Sequence, residues 1–259
     1  MSETLNIALV QTELVWENPD RNRGEISKKI EALTGPIDII VLPEMFTSGF
    51  TMQPQNFAET MDGETISWLK TIAASKQLAI TGSMVIKENH HYFNRMVFVH
   101  PNGTVEHYDK RHTFTFAGED KVYTPGTKKI IVDYKGWKIC PLICYDLRFP
   151  VWARNTEAYD VLIYVANWPA ARIVAWDTLL KARAIENMSY CVGVNRVGTD
   201  ANNHDYLGHS AVYDVLGNRI DSIPFDEEAV EIVSLQKEVV EVNRSKFNFL
   251  ADQDQFSIK

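Results

Sequence analysis

Four side chains have types and positions that could carry chemistry. Cys144 closes the apolar run Lys138–Ile143 and precedes the polar segment Tyr145–Pro150. A thiol at the end of a buried strand sits where α/β sheets bind ligands. Glu44 follows Asp38–Pro43 in the same way. A carboxylate in a desolvated cleft has a raised pKa and can shuttle a proton near neutrality. Lys110 ends the segment Glu106–Asp109, and beside a thiol its ammonium would stabilise a thiolate and any oxyanion formed by attack. Glu119, in Phe116–Lys121, is the fourth. Taken singly, each has a plainer reading: a small buried hydrophobe for Cys144, a solvated loop charge for Glu44, surface for Lys110 and an exposed turn acid for Glu119.

The elements that must position these groups are visible as periodic segments. Short apolar runs bounded by breakers read as strands at Leu5–Val10, Ile37–Leu42, Ala79–Met84, Arg95–Val99, Ile130–Val132, Lys138–Ile143, Val161–Val165 and Tyr190–Asn195. Amphipathic stripes at Asn22–Leu33, Thr65–Ser75 and Trp176–Met188 read as helices between them. Turn signals at Pro101–Thr104 and Leu216–Asn218 predict two hairpins, Met96–Val99 with Thr104–Tyr108 and Ala211–Val215 with Arg219–Ser222. Alternating strands and helices imply a layered α/β protein, and the hairpins imply mixed sheets. No repeat or linker interrupts the pattern, so we read residues 1–259 as one domain.

Composition narrows the function classes. The 34 acidic residues outnumber the 26 basic ones, giving a net charge of −8 that disfavours nucleic-acid binding. No apolar run has the ~18–20 residues of a membrane span, and the N-terminus does not read as a signal peptide. Three cysteines, Cys140, Cys144 and Cys191, argue against a disulfide framework and for the reducing cytoplasm. Cys140 and Cys144 lie four apart on one strand, about 13 Å, too far for a redox pair that needs under ~7 Å. The histidines His90, His91, His204 and His209 lack metal-ligand spacing, and no glycine-rich phosphate loop follows a strand. Neither a metal nor another cofactor is expected.

Three motifs occur in order, each after a strand: Pro43-Glu44, Tyr108-Asp109-Lys110 and Cys144-Tyr145-Asp146-Leu147-Arg148-Phe149-Pro150. Together they resemble the nitrilase (carbon–nitrogen hydrolase) superfamily, over nearly the whole chain from Asn6 to Phe247. The resemblance implies a four-layer α-β-β-α sandwich and dimers formed by stacking helical layers. It also implies a catalytic set of Glu44, Lys110 and Cys144, with Glu119, ahead of Thr124-Pro125-Gly126, as the second glutamate. Within the superfamily, Leu42–Phe50, Tyr108–His112, Cys144–Pro150 and Ala182–Asn187 look most like bacterial omega-amidases, which act on the terminal amide of 2-oxo acids such as 2-oxoglutaramate.

That substrate class needs an oxyanion site and a counter-charge. Lys110 and the backbone N–H of Tyr145 are placed for the first. Arg148 offers a guanidinium for the substrate carboxylate, unless it pairs with Asp146 or another acid. Trp168, Phe50 and Tyr145 are candidate pocket walls, with core packing as the plainer role of Trp168. Residues 243–259 carry aromatics that need a docking surface, and a partner subunit would supply it. The competing readings are another carbon–nitrogen hydrolase (an aliphatic amidase, a nitrilase or a carbamoylase) and a non-catalytic binding protein of the same fold.

Overall fold

A computed structural model describes residues 3–258. The first half supplies strands β1 (Thr4–Gln11), β2 (Ile39–Val41), β3 (Ala79–Glu88), β4 (His91–Val99) and β5 (Val105–Asp109). The second supplies β6 (Val132–Tyr134), β7 (Trp137–Ile143), β8 (Val161–Ala166), β9 (Tyr190–Asn195), β10 (Val197–Thr199), β11 (Asp205–Leu207), β12 (Ala211–Tyr213) and β13 (Ala229–Gln236). The helices are α1 (Pro19–Glu31), α2 (Pro54–Phe57), α3 (Glu64–Lys76), α4 (Pro150–Ala153), α5 (Ile173–Asn187) and α6 (Lys237–Phe247). None of the described helices is long and apolar enough to cross a membrane.

Two mixed sheets result. One has the order β13-β1-β2-β3-β4-β5 and the other β12-β9-β8-β7-β6, while β10 and β11 form a separate hairpin. In both large sheets the central strands run parallel and the outer ones antiparallel: β1, β2 and β3 in one, β7, β8 and β9 in the other. Successive residues of β1 divide between two cores, as a pleated strand requires. Leu5, Ile7 and Leu9 enter the core that also holds Val161–Ala166 of the second sheet. Ala8 and Val10 pack with Ile26 and Ile30 of α1 and with Ile66 and Leu69 of α3. On the far side Trp176, Leu180 and Ala184 of α5 cover the second sheet. The layers therefore run helix, sheet, sheet, helix, and each large side chain buried this way contributes about 1.5–3 kcal/mol.

Local signals set the boundaries. Helix α1 starts where Asn18 accepts a hydrogen bond from the backbone N–H of Arg21 at 3.1 Å, with Pro19 in the first turn. Helix α5 lies close on β9 because Gly193 has no side chain. A Cβ there would stand 2.4 Å from Leu180 Cδ1 and 2.8 Å from Trp176 Cζ2.

The structure corrects three expectations and adds a strand. The strand expected at Ile130–Val132 is instead Val132–Tyr134, because Lys135 and Gly136 turn the chain with φ of 51° and 86° and pair Tyr134 with Trp137. The second arm expected at Arg219–Ser222 makes only an isolated bridge, Arg219 to Tyr213, since the Asp221 carboxylate takes the Val212 N–H at 2.7 Å. Strand β13 was not marked by the apolar runs. It is an antiparallel edge partner of β1, and half of its side chains are only partly buried. The segment from residue 243 is not all tail: it first completes α6, then makes a 3-10 turn at Phe249–Asp252.

Candidate active site

The four chemical groups, far apart in sequence, converge between the two sheets. Glu44 stands three residues past β2, Lys110 one past β5 and Cys144 one past β7, while Glu119 opens a 3-10 turn. Glu44 and Glu119 are fully buried and Lys110 is 1% exposed. The surface readings of these three are thereby excluded.

Lys110 Nζ donates to Glu44 Oε1 at 2.8 Å and to Glu119 Oε2 at 2.9 Å. Asn94 Nδ2 bridges the same two carboxylates, at 2.8 Å to Glu44 Oε1 and 3.3 Å to Glu119 Oε1. The N–H of Phe114 donates to Glu119 Oε2 at 2.5 Å. Behind Lys110 the chain is braced by Gly126, whose N–H donates to the Lys110 carbonyl at 2.8 Å. A Cβ at Gly126 would lie 2.1 Å from the Asp109 carbonyl oxygen, so only glycine fits there.

Cys144 adopts φ of 43°, in the left-handed region, immediately after the extended Ile143. A side chain in that region costs of order 1–3 kcal/mol and persists only where its surroundings hold it. Asp146 supplies the hold. Its Oδ2 accepts from the Ile143 N–H at 3.1 Å and from Tyr108 Oη at 2.7 Å. Its Oδ1 accepts from the His112 N–H at 3.0 Å and lies 2.7 Å from His112 Nδ1. Asp146 is thus occupied and is not a partner of Arg148.

The electrostatics follow from burial. Desolvation pushes the Cys144 thiol well above its ordinary value. The Glu44 charge adds to that push and Lys110 opposes it. At rest Cys144 is therefore a protonated thiol. Burial by itself would depress the Lys110 ammonium, but Glu119 and Glu44 overcome it and hold the lysine charged. Glu119 is raised above the usual carboxylate value, first by burial and then by the Glu44 charge, against the pull of Lys110.

Cys144 and Lys110 open onto a cavity of about 390 Å³ whose walls include Phe50, Tyr145, Arg148 and Trp168. Every residue assigned from sequence to substrate contact thus borders the same space as the thiol. Trp168 is held rigidly: its N–H donates to Asn195 Oδ1 at 2.8 Å, and its carbonyl accepts from Asn195 Nδ2 at 2.9 Å. Its ring lies under the Arg148 guanidinium, 5.0 Å from ring centre to Cζ. Sequence reasoning did not single out Asn94, Asn167 or Arg172. Asn94 interrupts an apolar strand, and Asn167 directly follows β8 ahead of Trp168-Pro169. A polar residue breaking a buried run is the signal that could have found the two asparagines. Arg172 carries no such local mark.

Comparison with known proteins gives a consistent picture. A family model described as carbon–nitrogen hydrolase matches residues 6–244. The chain is 42% identical over 255 residues to the omega-amidase YafV of Yersinia enterocolitica, covering 98% of both chains. It is 32% identical over 216 residues to the 2-oxoglutaramate amidase of Bacillus subtilis, covering 82% of this chain and 83% of that one. Among solved structures, XC1258 of Xanthomonas campestris, described as a CN-hydrolase superfamily protein with an arsenic adduct in its active site, superposes with a TM-score of 0.97. It is 42% identical, and all of both chains is covered.

Proposed function

The chain belongs to the carbon–nitrogen hydrolase family, and from that premise we propose that it is an amidase releasing ammonia from the terminal amide of a 2-oxo acid, with 2-oxoglutaramate as the type substrate. One observation carries the reading. The Cys144 thiol and the Lys110 ammonium, which stands 2.8 Å from the buried Glu44 carboxylate, open onto one cavity that also holds an arginine with no carboxylate partner among the described residues.

The chemistry proceeds in two halves. The Glu44 carboxylate takes the Cys144 proton as Sγ bonds to the amide carbon, help typically worth ~10²–10⁴ in rate. The new oxyanion is met by Lys110 Nζ and by the N–H of Tyr145. That N–H lies in the first turn of the 3-10 helix Cys144–Arg148, where an amide lacks a partner within its own helix. Glu44 returns the proton to the amide nitrogen, the C–N bond breaks and ammonia leaves a thioester on Cys144. Glu44 then deprotonates a water that attacks the thioester, and the departing sulfur takes that proton back. Glu119 keeps Lys110 aligned throughout. Arg148 meets the substrate carboxylate, and Trp168, Phe50 and Tyr145 enclose the carbon chain. The three free thiols support work in a reducing cytoplasm. The exposed Val174 and Ile185 of α5, with Phe249 beyond α6, support a homodimer.

Ammonia release from 2-oxoglutaramate, glutamine, asparagine, simple nitriles and N-carbamoyl amines tests this, with Cys144→Ala as control. Preference for 2-oxoglutaramate and loss of activity in the variant are expected. Preference for glutamine or a nitrile, or unaltered turnover by the variant, would overturn it.

A further inference from the structure

The same cavity holds a second guanidinium that the sequence did not mark. Arg172 lies at the end of the 3-10 turn Ala170–Arg172, just ahead of α5, and lines the space bordered by Cys144 and Arg148. Each of the two arginines rests on an aromatic face. Arg148 lies over Trp168 at 5.0 Å and Arg172 over Phe114 at 5.1 Å. Among the described residues neither has a carboxylate partner, whereas other arginines such as Arg23, Arg95 and Arg219 form ion pairs. One side chain supports both: the Trp168 ring lies under Arg148, while its Nε1–H donates to the Arg172 carbonyl at 2.8 Å.

Two unneutralised guanidiniums on the wall of a small cavity attract an anion and repel a cation. Asp200, the one carboxylate among the described residues that line this cavity, pairs with neither arginine; its ion-pair contact is His204 Nδ1 at 3.4 Å. Asp200 accepts from the N–H groups of Asn202 and His204 on Oδ1 and from Tyr206 Oη on Oδ2.

We propose that Arg172 joins Arg148 in an anion subsite that selects substrates bearing a carboxylate without a neighbouring ammonium. This deepens the proposed function and rests on it. It gives a physical reason for favouring a 2-oxo acid amide over the corresponding amino acid. Both carry the carboxylate, but only the amino acid sets a positive charge beside the two guanidiniums. Planar guanidiniums also match the adjacent oxygens of a 2-oxo carboxylate better than a point charge does.

The test compares Arg172→Met and Arg172→Lys with the unaltered enzyme on 2-oxoglutaramate, glutaric acid monoamide, glutamine and neutral butanamide. A hydrogen bond to a charged group is worth enough that Arg172→Met should raise KM for the two anionic amides about ten- to a hundredfold. Their kcat should stay within about threefold, since the reacting groups are untouched. Butanamide turnover should be unchanged, the preference for 2-oxoglutaramate over glutamine should narrow, and Arg172→Lys should recover part of the loss. Equal losses on butanamide and the anionic amides, or an unchanged KM, would overturn the role of Arg172 while leaving the amidase reading intact. An unaltered enzyme that prefers butanamide or glutamine would overturn both. Thermal melting of each variant separates misfolding from lost binding. If the methionine variant does not fold, the lysine variant decides through the same substrate ratios.

Discussion

Asn167 grips Glu44 at two points. Its backbone N–H donates to Glu44 Oε2 at 2.8 Å, and its side-chain Nδ2 donates to the Glu44 carbonyl at 2.5 Å. The pair joins the end of β8 to the loop after β2, and so fixes the Glu44 carboxylate across the gap between the sheets. Asn167→Ala should lower kcat about tenfold through misplacement of Glu44, with little change in KM. The melting temperature should fall by about 2–8 °C, the equivalent of one lost hydrogen bond and one orphaned carbonyl. Unchanged kcat in steady-state assays would show that Glu44 is positioned without this tie.

Lys110→Met should destabilise the fold by about 3–5 kcal/mol, because it leaves two buried carboxylates without their ammonium. The sign with pH follows from the acids. Glu119 is already raised above the ordinary value of 4.5, and removing Lys110 raises it further. A carboxyl raised in the folded state supports folding below the unfolded value, and that support is lost as pH rises through the folded value. The variant should therefore be closest to the parent near pH 4 and diverge upward. Urea titrations across this range check it, and adding Glu119→Gln should recover part of the neutral-pH loss.

Iodoacetamide should modify Cys144 and spare Cys140 and Cys191, which are completely buried. Burial also pushes the Cys140 thiol up to about 12. With the Cys144 thiol raised as well, little thiolate exists at neutrality, so the alkylation rate should climb with pH through the alkaline range. Peptide mapping identifies the site. A rate already at its plateau below pH 7 would mean a preformed thiolate and would contradict Glu44 as the acceptor of the thiol proton.

Glu44→Gln removes the acceptor for the thiol proton and the activator of water together. Turnover should fall by ~10²–10⁴. Intact-mass measurement on Cys144→Ala should show no adduct with substrate, while the parent in rapid quench should carry the acyl mass on Cys144. Absence of any acyl adduct in the parent, together with full turnover of Glu44→Gln, would remove the thioester route.

Much of this site was legible in the sequence through the order of three motifs rather than through any one of them, since each group taken singly has a plainer reading. Glu44 and Cys144 stand within three residues of the end of an apolar strand, whereas Lys110 follows the mostly polar Val105–Asp109. Glu119 needed the family pattern, since nothing in Phe116–Lys121 says that its turn folds inward. Arg172 and Asn94 were silent because their roles arise from partners on other elements: Phe114 beneath one, and the two carboxylates around the other. Strand β13 was missed because an edge strand needs only one buried face, and its Glu231 and Ser234 dilute the apolar signal. The shift of β6 came from a turn that Lys135-Gly136 specifies more sharply than the neighbouring apolar residues do.

The pairing of β13 with β1 bears on how the protein comes into being. The sheet carrying both acids and the ammonium closes only when the last strand, Ala229–Gln236, lies against the first, Thr4–Gln11. The residues that line the cavity, from Phe50 to Tyr206, are all translated before that last strand. Strand β1 thus waits for an edge partner that is translated more than two hundred residues after it.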